Sequence, residues 1–217
     1  MSKSKTQKKN EVTNDDDSLE LIDLNSPRGR LQQIAASLFK AKGFSRTTVR
    51  DIAANVGIQS GSIFHHFKNK EQILQSVMKD AILRVMTSMQ QKLAETTNTS
   101  EQLYCLVLCE LQAIHDEQLA GFQLLISEWR SLNDENKQKI LQLRQQYELL
   151  WLKVLDQAQH ENLVNVDSFY LRGFIRGALI ETGSWYKLDG DVSLETLAQK
   201  LITAFVCQNQ NYNNNHC

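Results

Sequence analysis

The stretch TTVRDIAANVGIQSGSIFHHFKNK, residues 47–70, decides how this chain folds. Thr48-Val49-Arg50-Asp51 has the form of a capping box, with Asp51 where Glu is usual, so hydroxyl and carboxylate can each take an amide left unpaired at a helix start. Ile52, Ala53 and Val56 give the short helix that follows an apolar side, and Gly57 supplies a left-handed stop. Ile58 to His65 then predicts another short helix, of about two turns. Short helix, glycine turn, short helix is a helix-turn-helix pattern. Ahead of it, Leu31, Ile34, Ala35, Leu38 and Phe39 recur at helical spacing between a Ser26-Pro27 start and a Gly43 stop, which predicts a longer bracing helix.

Charge is segregated around this pattern. The chain of 217 residues has a formal net charge of −1, yet Pro27 to Glu71 carries eight basic side chains against Asp51 and Glu71 alone. A compact cationic module on an otherwise acidic chain points to a polyanion as partner of that module only. The first residues hold four lysines, then Asp15-Asp16-Asp17, and few large apolar groups. They predict a disordered arm, either a solvated tail or a lysine arm on DNA.

His65 and His66 invite a metal reading, but adjacent helical positions diverge by about 100°, so the pair cannot grip one ion. No metal site is expected. The stretch instead resembles the recognition segment of the TetR family of bacterial repressors, through TTVRDIAANVG, SGSIFHHF and NKEQIL in that order and spacing. The likeness covers about Pro27 to Val85 and implies a DNA-binding transcriptional regulator working as a homodimer on a palindromic operator. Phe64 departs from it, because the family usually has Tyr there and the lost hydroxyl removes one phosphate hydrogen bond. Phe64 can still press on a thymine methyl.

Within the module, Gln59, Ser60 and Ser62 fall in the first turn of the recognition helix, where side chains reach base edges; for Gln59 a solvated amide is the alternative. Arg46, Thr47, Thr48 and His65 are candidates for phosphate. Lys70 stands at a helix N-terminus, where a cation opposes the helix dipole, and a docked phosphate would explain it. Phe67 is expected to plug the core between the first and fourth helices.

Asn69 can cap that fourth helix, whose apolar positions Ile73, Leu74, Val77, Met78, Ala81, Ile82, Val85 and Met89 link the module to the body. From Ser100 the pattern stays helical, with breaks near Asn98, Ala120-Gly121, Ser131 to Asn133, Glu161-Asn162 and Asp189 to Asp191, and no strand alternation. The fold class expected is all-α. A disordered arm (1–25) precedes a three-helix DNA-binding domain (26–72, helix-turn-helix about 48–67), followed by a ligand-binding and dimerisation domain (73–208) and a disordered tail (209–217). Asp167 to Lys187 carries Phe169, Phe174, Ile175, Ala178, Leu179, Thr182 and Trp185, with Gly173 and Gly177 four apart. That stripe serves either a dimer, as the resemblance implies, or the core of a single copy.

The resemblance also implies a small-molecule inducer pocket in the body. FIRGALIETGSWYK, Phe174 to Lys187, looks like the corresponding helix of family members that govern sterol-ring and fatty-acid catabolism and respond to acyl-CoA thioesters. There an Arg at the position of Arg176 faces the ligand. A guanidinium among Phe, Ile and Leu needs an anion. The ligand supplies one, or an acid such as Glu128 or Glu181 does. Arg172, Arg130, Trp129 and Trp151 are the other ligand candidates, the aromatics having core filling as their alternative.

No run of apolar residues is long enough to cross a bilayer, and Met1 to Asn10 is polar. A cytoplasmic protein with reduced cysteines (Cys105, Cys109, Cys207 and Cys217) is therefore expected. No phosphate loop, nucleophile elbow or HExxH motif appears, so neither enzyme activity nor a cofactor is expected. The rival reading is a ligand-binding or adaptor protein whose DNA module is vestigial.

Overall fold

The computed structural model describes residues 20–116 and 120–206, and these are helical with no strand among them. Helix α1, Pro27–Lys42, starts where the Ser26 hydroxyl accepts the Gly29 amide, and it stops at Gly43, whose φ is 80°. Helix α2, Val49–Val56, has the capping box complete in both directions: the Asp51 amide donates to the Thr48 hydroxyl at 3.1 Å and the Thr48 amide to the Asp51 carboxylate at 2.8 Å. The bonds that its carboxylate accepts from the Thr48 amide and hydroxyl hold the Asp51 carboxyl below the usual range. After the left-handed Gly57, helix α3 is only Ser60–Ile63. This is shorter than expected, because beyond it the amides of Phe64, His65 and His66 bond three residues back instead of four. The tighter winding brings Phe67 into the core, 1% exposed, with the Arg28 guanidinium over its ring at 4.8 Å.

Helix α4, Lys70–Glu95, is capped by Asn69 and buries all eight of its expected apolar positions. It runs through both halves of one continuous core. The body adds α5 (Thr99–His115), α6 (Ala120–Ser127), a 3-10 turn (Trp129–Ser131), α7 (Asp134–His160), α8 (Ser168–Trp185) and α9 (Leu194–Phe205). Asn98, Asn133 and Ser193 cap α5, α7 and α9 through their side chains.

The break expected near Ala120-Gly121 lies just before them, between the end of α5 at His115 and the start of α6 at Ala120, and a Cβ on Gly121 would lie 2.6 Å from the Val77 carbonyl oxygen. The glycine lets α6 lie directly on α4. The arm, expected to be disordered through residue 25, has its last residues fastened: the Ile22 amide donates to Asp80 at 3.1 Å, and Arg84 donates to the Ile22 carbonyl. Gly29 sits beneath this strap, since a Cβ there would meet the Asp23 carbonyl oxygen at 2.1 Å. Residues 1–19, the expected tail 209–217, Cys207 and Cys217 lie outside the described residues. Cys105 and Cys109 are free thiols, and among the described residues no helix is long and apolar enough to cross a membrane.

Helix α8 has two faces. Leu171, Arg172, Ile175, Leu179 and Thr182 are buried, while Phe169 (72% exposed), Tyr170, Phe174 (59%) and Trp185 stand outside. Nothing lies within 4 Å of a Cβ built on Gly173 or Gly177. The large aromatics of this helix therefore do not fill the core of a single copy.

Candidate nucleic-acid interface and ligand cavity

The helix-turn-helix presents Arg46, Thr48, Gln59, Phe64 and His65 at the surface, with Ser60 and Ser62 partly covered. Ile63 and Phe67 are buried beneath and plant the segment on the module. Gln59 precedes α3 without a side-chain cap bond, which leaves its carboxamide to face outward. Arg46 donates Nε to the Lys42 carbonyl at 2.7 Å, bracing the guanidinium on the end of α1. The Thr48 hydroxyl is engaged on both sides, accepting the Asp51 amide and donating to its carboxylate at 2.8 Å.

Thr47 and Lys70 depart from expectation. Thr47 is fully buried and donates its hydroxyl to the carbonyls of Gly43 (2.9 Å) and Leu38 (3.3 Å), so it cannot reach a phosphate. A buried donor is costly unless bonded, and this one is spent on closing the turn after α1. The Lys70 ammonium donates to the carbonyls of Phe44 and Thr47, both at 2.8 Å, and lies 4.1 Å from the centre of the Phe44 ring. Burial holds its pKa below the ordinary lysine value although Glu128 pulls it up. Two carbonyls and a ring thus account for a cation at this helix start, and no phosphate is needed to explain it. Lys70→Met is expected to lower unfolding stability by about 1–3 kcal/mol in a denaturant titration, the cost of losing two charge-assisted bonds to these carbonyls.

In the body two hollows adjoin. An inner cavity of about 310 Å³ is lined on its apolar side by Ile82, Phe122, Leu125, Ile126, Trp129 and Ile180, and on its polar side by Glu110 and Tyr147. An outer groove of about 970 Å³ runs along α7 and α8 past Leu141, Leu149, Leu152, Phe169, Tyr170 and Phe174. Arg144, Glu148, Arg172 and Arg176 line both.

Arg172 is the buried charge of this site. Its Nε donates to Glu148 at 2.7 Å, its Nη2 lies 3.1 Å from Glu110 Oε2, and its guanidinium stacks 4.3 Å from the centre of the Trp151 ring. The Tyr147 hydroxyl donates to Glu110 at 2.5 Å. Burial pushes the Glu110 carboxyl up, against the pull of Arg172 and the Tyr147 bond. Burial also pushes the Tyr147 phenol well up, with Glu110 adding to it. For Arg172 burial works against the charge, and Glu110, Tyr147 and Glu148 more than offset it. Nη1 of Arg172 is buried with no hydrogen-bond partner.

These positions correct the expected ligand set. Arg176 keeps its place in the ligand set, lining both hollows, but from an exposed position and not turned inward among apolar side chains, because the buried stripe of α8 passes through Arg172, Ile175, Leu179 and Thr182. Its weighed acids are engaged elsewhere: Glu128 accepts the Phe44 amide and Glu181 accepts the Ser184 hydroxyl. Arg130 is exposed and absent from the lining of both hollows. Trp151 is fully buried under Arg172, behind the cavity wall, while Trp129 does line the cavity. Glu110 and Glu148 were missed. The sign of Glu110 was a lone carboxylate in the apolar run CLVLCELQAI, residues 105–114, which has to find a cation when that helix is buried.

Comparison with known proteins bears on both halves. Residues 33–77 match the family of bacterial regulatory proteins, tetR family, and residues 96–207 match the tetracyclin repressor-like C-terminal domain. The HTH-type transcriptional repressor KstR2 of Mycolicibacterium smegmatis is 32% identical over 182 residues, which span 82% of this chain and 87% of that protein. Among solved structures, one described as superantigen PfiT is 43% identical with a TM-score of 0.75, over 85% of this chain and 98% of that one. The ketosteroid transcriptional regulator KstR2 of Mycobacterium tuberculosis is 26% identical with a TM-score of 0.73, over 87% and 99%.

Proposed function

The chain belongs to the TetR family of bacterial regulatory proteins, DNA-binding transcriptional regulators, and from that membership we propose that it is a repressor released from its operator by a small molecule resembling an acyl-CoA. One observation carries the reading. Helix α4 begins at Lys70 in the DNA-binding module and continues, unbroken, to Ile82 in the wall of the inner cavity. A rigid element shared by two sites gives a ligand something to bias, provided it binds one position of that element better than the other.

Each recognition segment reaches only a few base pairs, so two copies on a palindrome are required for specificity. In this reading Gln59, Ser60, Ser62 and Phe64 face bases, and Arg46 and His65 face phosphates, while the donors of Thr48 are spent on Asp51. The apolar inner cavity takes the acyl part. The arginines Arg144 and Arg176 at its mouth suit a phosphorylated head. A relative described as a ketosteroid transcriptional regulator supports a bulky apolar group inside.

Sequencing the genomic fragments retained by the full-length protein tests the DNA half. An inverted repeat is expected. Its affinity should fall by about 10³–10⁵ between 50 and 200 mM salt if six to ten phosphates are contacted. Titrating CoA thioesters of short, branched and ring acyl groups into that complex tests the ligand half. Retention of no inverted repeat returns the protein to the adaptor reading. An operator affinity indifferent to every thioester removes the inducer class.

A further inference from the structure

We propose that Glu128 is the positioning residue through which the state of the inner cavity reaches the DNA-binding helices, an inference that rests on the reading of that cavity as a ligand site. Trp129, its neighbour in sequence, is a wall of the cavity, and the Arg144 guanidinium lies 5.7 Å from the centre of the Trp129 ring. Glu128 itself is turned to the other side. Its Oε1 accepts the Phe44 amide at 3.0 Å and its Oε2 accepts the Ser131 hydroxyl at 2.9 Å, so both oxygens are committed.

Phe44 belongs to the turn that joins α1 to α2, and its carbonyl is one of the two that hold the Lys70 ammonium at 2.8 Å. The carboxylate, the turn and the first residue of α4 thus form one polar junction. A few residues on, the same body segment reaches the module again: Glu71 accepts the Asn133 amide at 2.7 Å and the Asn136 carboxamide at 2.8 Å. Residues 128–136 therefore grip the turn before α2 and the first turn of α4 at once, with Trp129 between the grips and the cavity.

The bond from Phe44 is the sensitive member. Its donor is a backbone amide, so no rotamer change on the module side can follow a retreating carboxylate. Hydrogen bonds of this type occupy about 2.7–3.2 Å, so a retreat of the Glu128 carboxylate by about one ångström along the bond breaks one that stands at 3.0 Å. An occupant that moves Trp129 or Arg144 then frees the turn that seats α2 and α3.

The test needs no natural ligand. Leu125→Trp and Ile126→Trp, both at lining positions, fill the cavity of the full-length protein from within. In the parent background each filled variant is expected to change affinity for the retained operator by about 5–150-fold, the usual span of coupling between two sites. In a Glu128→Ala background the change should shrink to within about twofold, while Glu128→Gln, which keeps an acceptor for the amide, should retain most of it. Hydrogen exchange adds a measurement independent of DNA. The Phe44 amide should exchange at least about tenfold faster in whichever filled variant folds, with the amides of α9 unchanged. An equal effect of filling with and without Glu128, or a Phe44 amide indifferent to a filled cavity, overturns the proposal. Failure of every thioester to release DNA removes only the inducer class and leaves this result standing.

Discussion

Arg172→Met is expected to destabilise the protein by about 3–5 kcal/mol at neutral pH, the cost of removing one partner from a buried ion pair. Glu110 is 2% exposed, and Arg172 is the cation in its environment; without it the carboxylate keeps, among the described residues, the Tyr147 hydroxyl. Denaturant unfolding of the variant measures the loss. The sign of its pH dependence follows from Glu110, whose folded pKa is already raised by burial and rises further once Arg172 is gone. A carboxyl with a raised folded pKa is unpenalised below its unfolded value and loses stability as pH climbs through the folded one. The defect of Arg172→Met should therefore be smaller near pH 4 than at pH 7. Adding Glu110→Gln should recover much of it at neutral pH, because the buried charge has then been removed with its partner. A defect that does not shrink toward acid would mean that packing against Trp151 carries the effect, and not charge.

Gly177→Glu is expected to leave the single copy folded and to abolish dimerisation, with operator affinity falling at least about a thousandfold, toward the level of non-specific binding. A Cβ at Gly177 meets nothing within 4 Å, so the lone chain tolerates the new side chain. Replacing a helical glycine even favours the helix by about 0.5–1 kcal/mol. A second copy laid on Phe169, Phe174 and the glycine pair would instead bury an unpaired carboxylate at its closest approach. Sedimentation velocity reads the assembly and thermal unfolding reads the fold. A dimer that survives the substitution would place the interface elsewhere, and the exposed aromatics of α8 would need another explanation.

Local signals carried most of the fold. Ser26, Thr48, Asn69 and Ser193 cap the helices that their neighbours predicted, and the apolar spacing from Ile73 to Met89 named residues that α4 does bury, though not Leu83 and Met86, which it buries as well. These readings succeed because a cap and an amphipathic stripe are settled within a few residues of chain. The site was less legible for the same reason. Arg172 and Arg176 are four apart on α8 and differ by only about 40° around its axis, so periodicity alone cannot say which one enters the core. That choice was made by Glu110, 62 residues earlier, and Glu148, 24 residues earlier. Thr47 is lost as a phosphate ligand, and Lys70 has a structural role beside the expected one, because the carbonyls that engage them come from the end of α1 and the turn after it, whose path no nearby motif discloses. Glu128 went to the Phe44 amide, 84 positions away, and not to an arginine.

Gly121 has a mechanical consequence. Where two helices meet through side chains, a shift of one is partly absorbed as leucines and methionines change rotamer. At Gly121 the backbone of α6 rests on the Val77 carbonyl with no side chain between them, so that cushion is missing. Any sliding of α6 is handed to the middle of α4 without play, and the joint behaves as a fulcrum between the cavity wall and the helix that starts in the helix-turn-helix module.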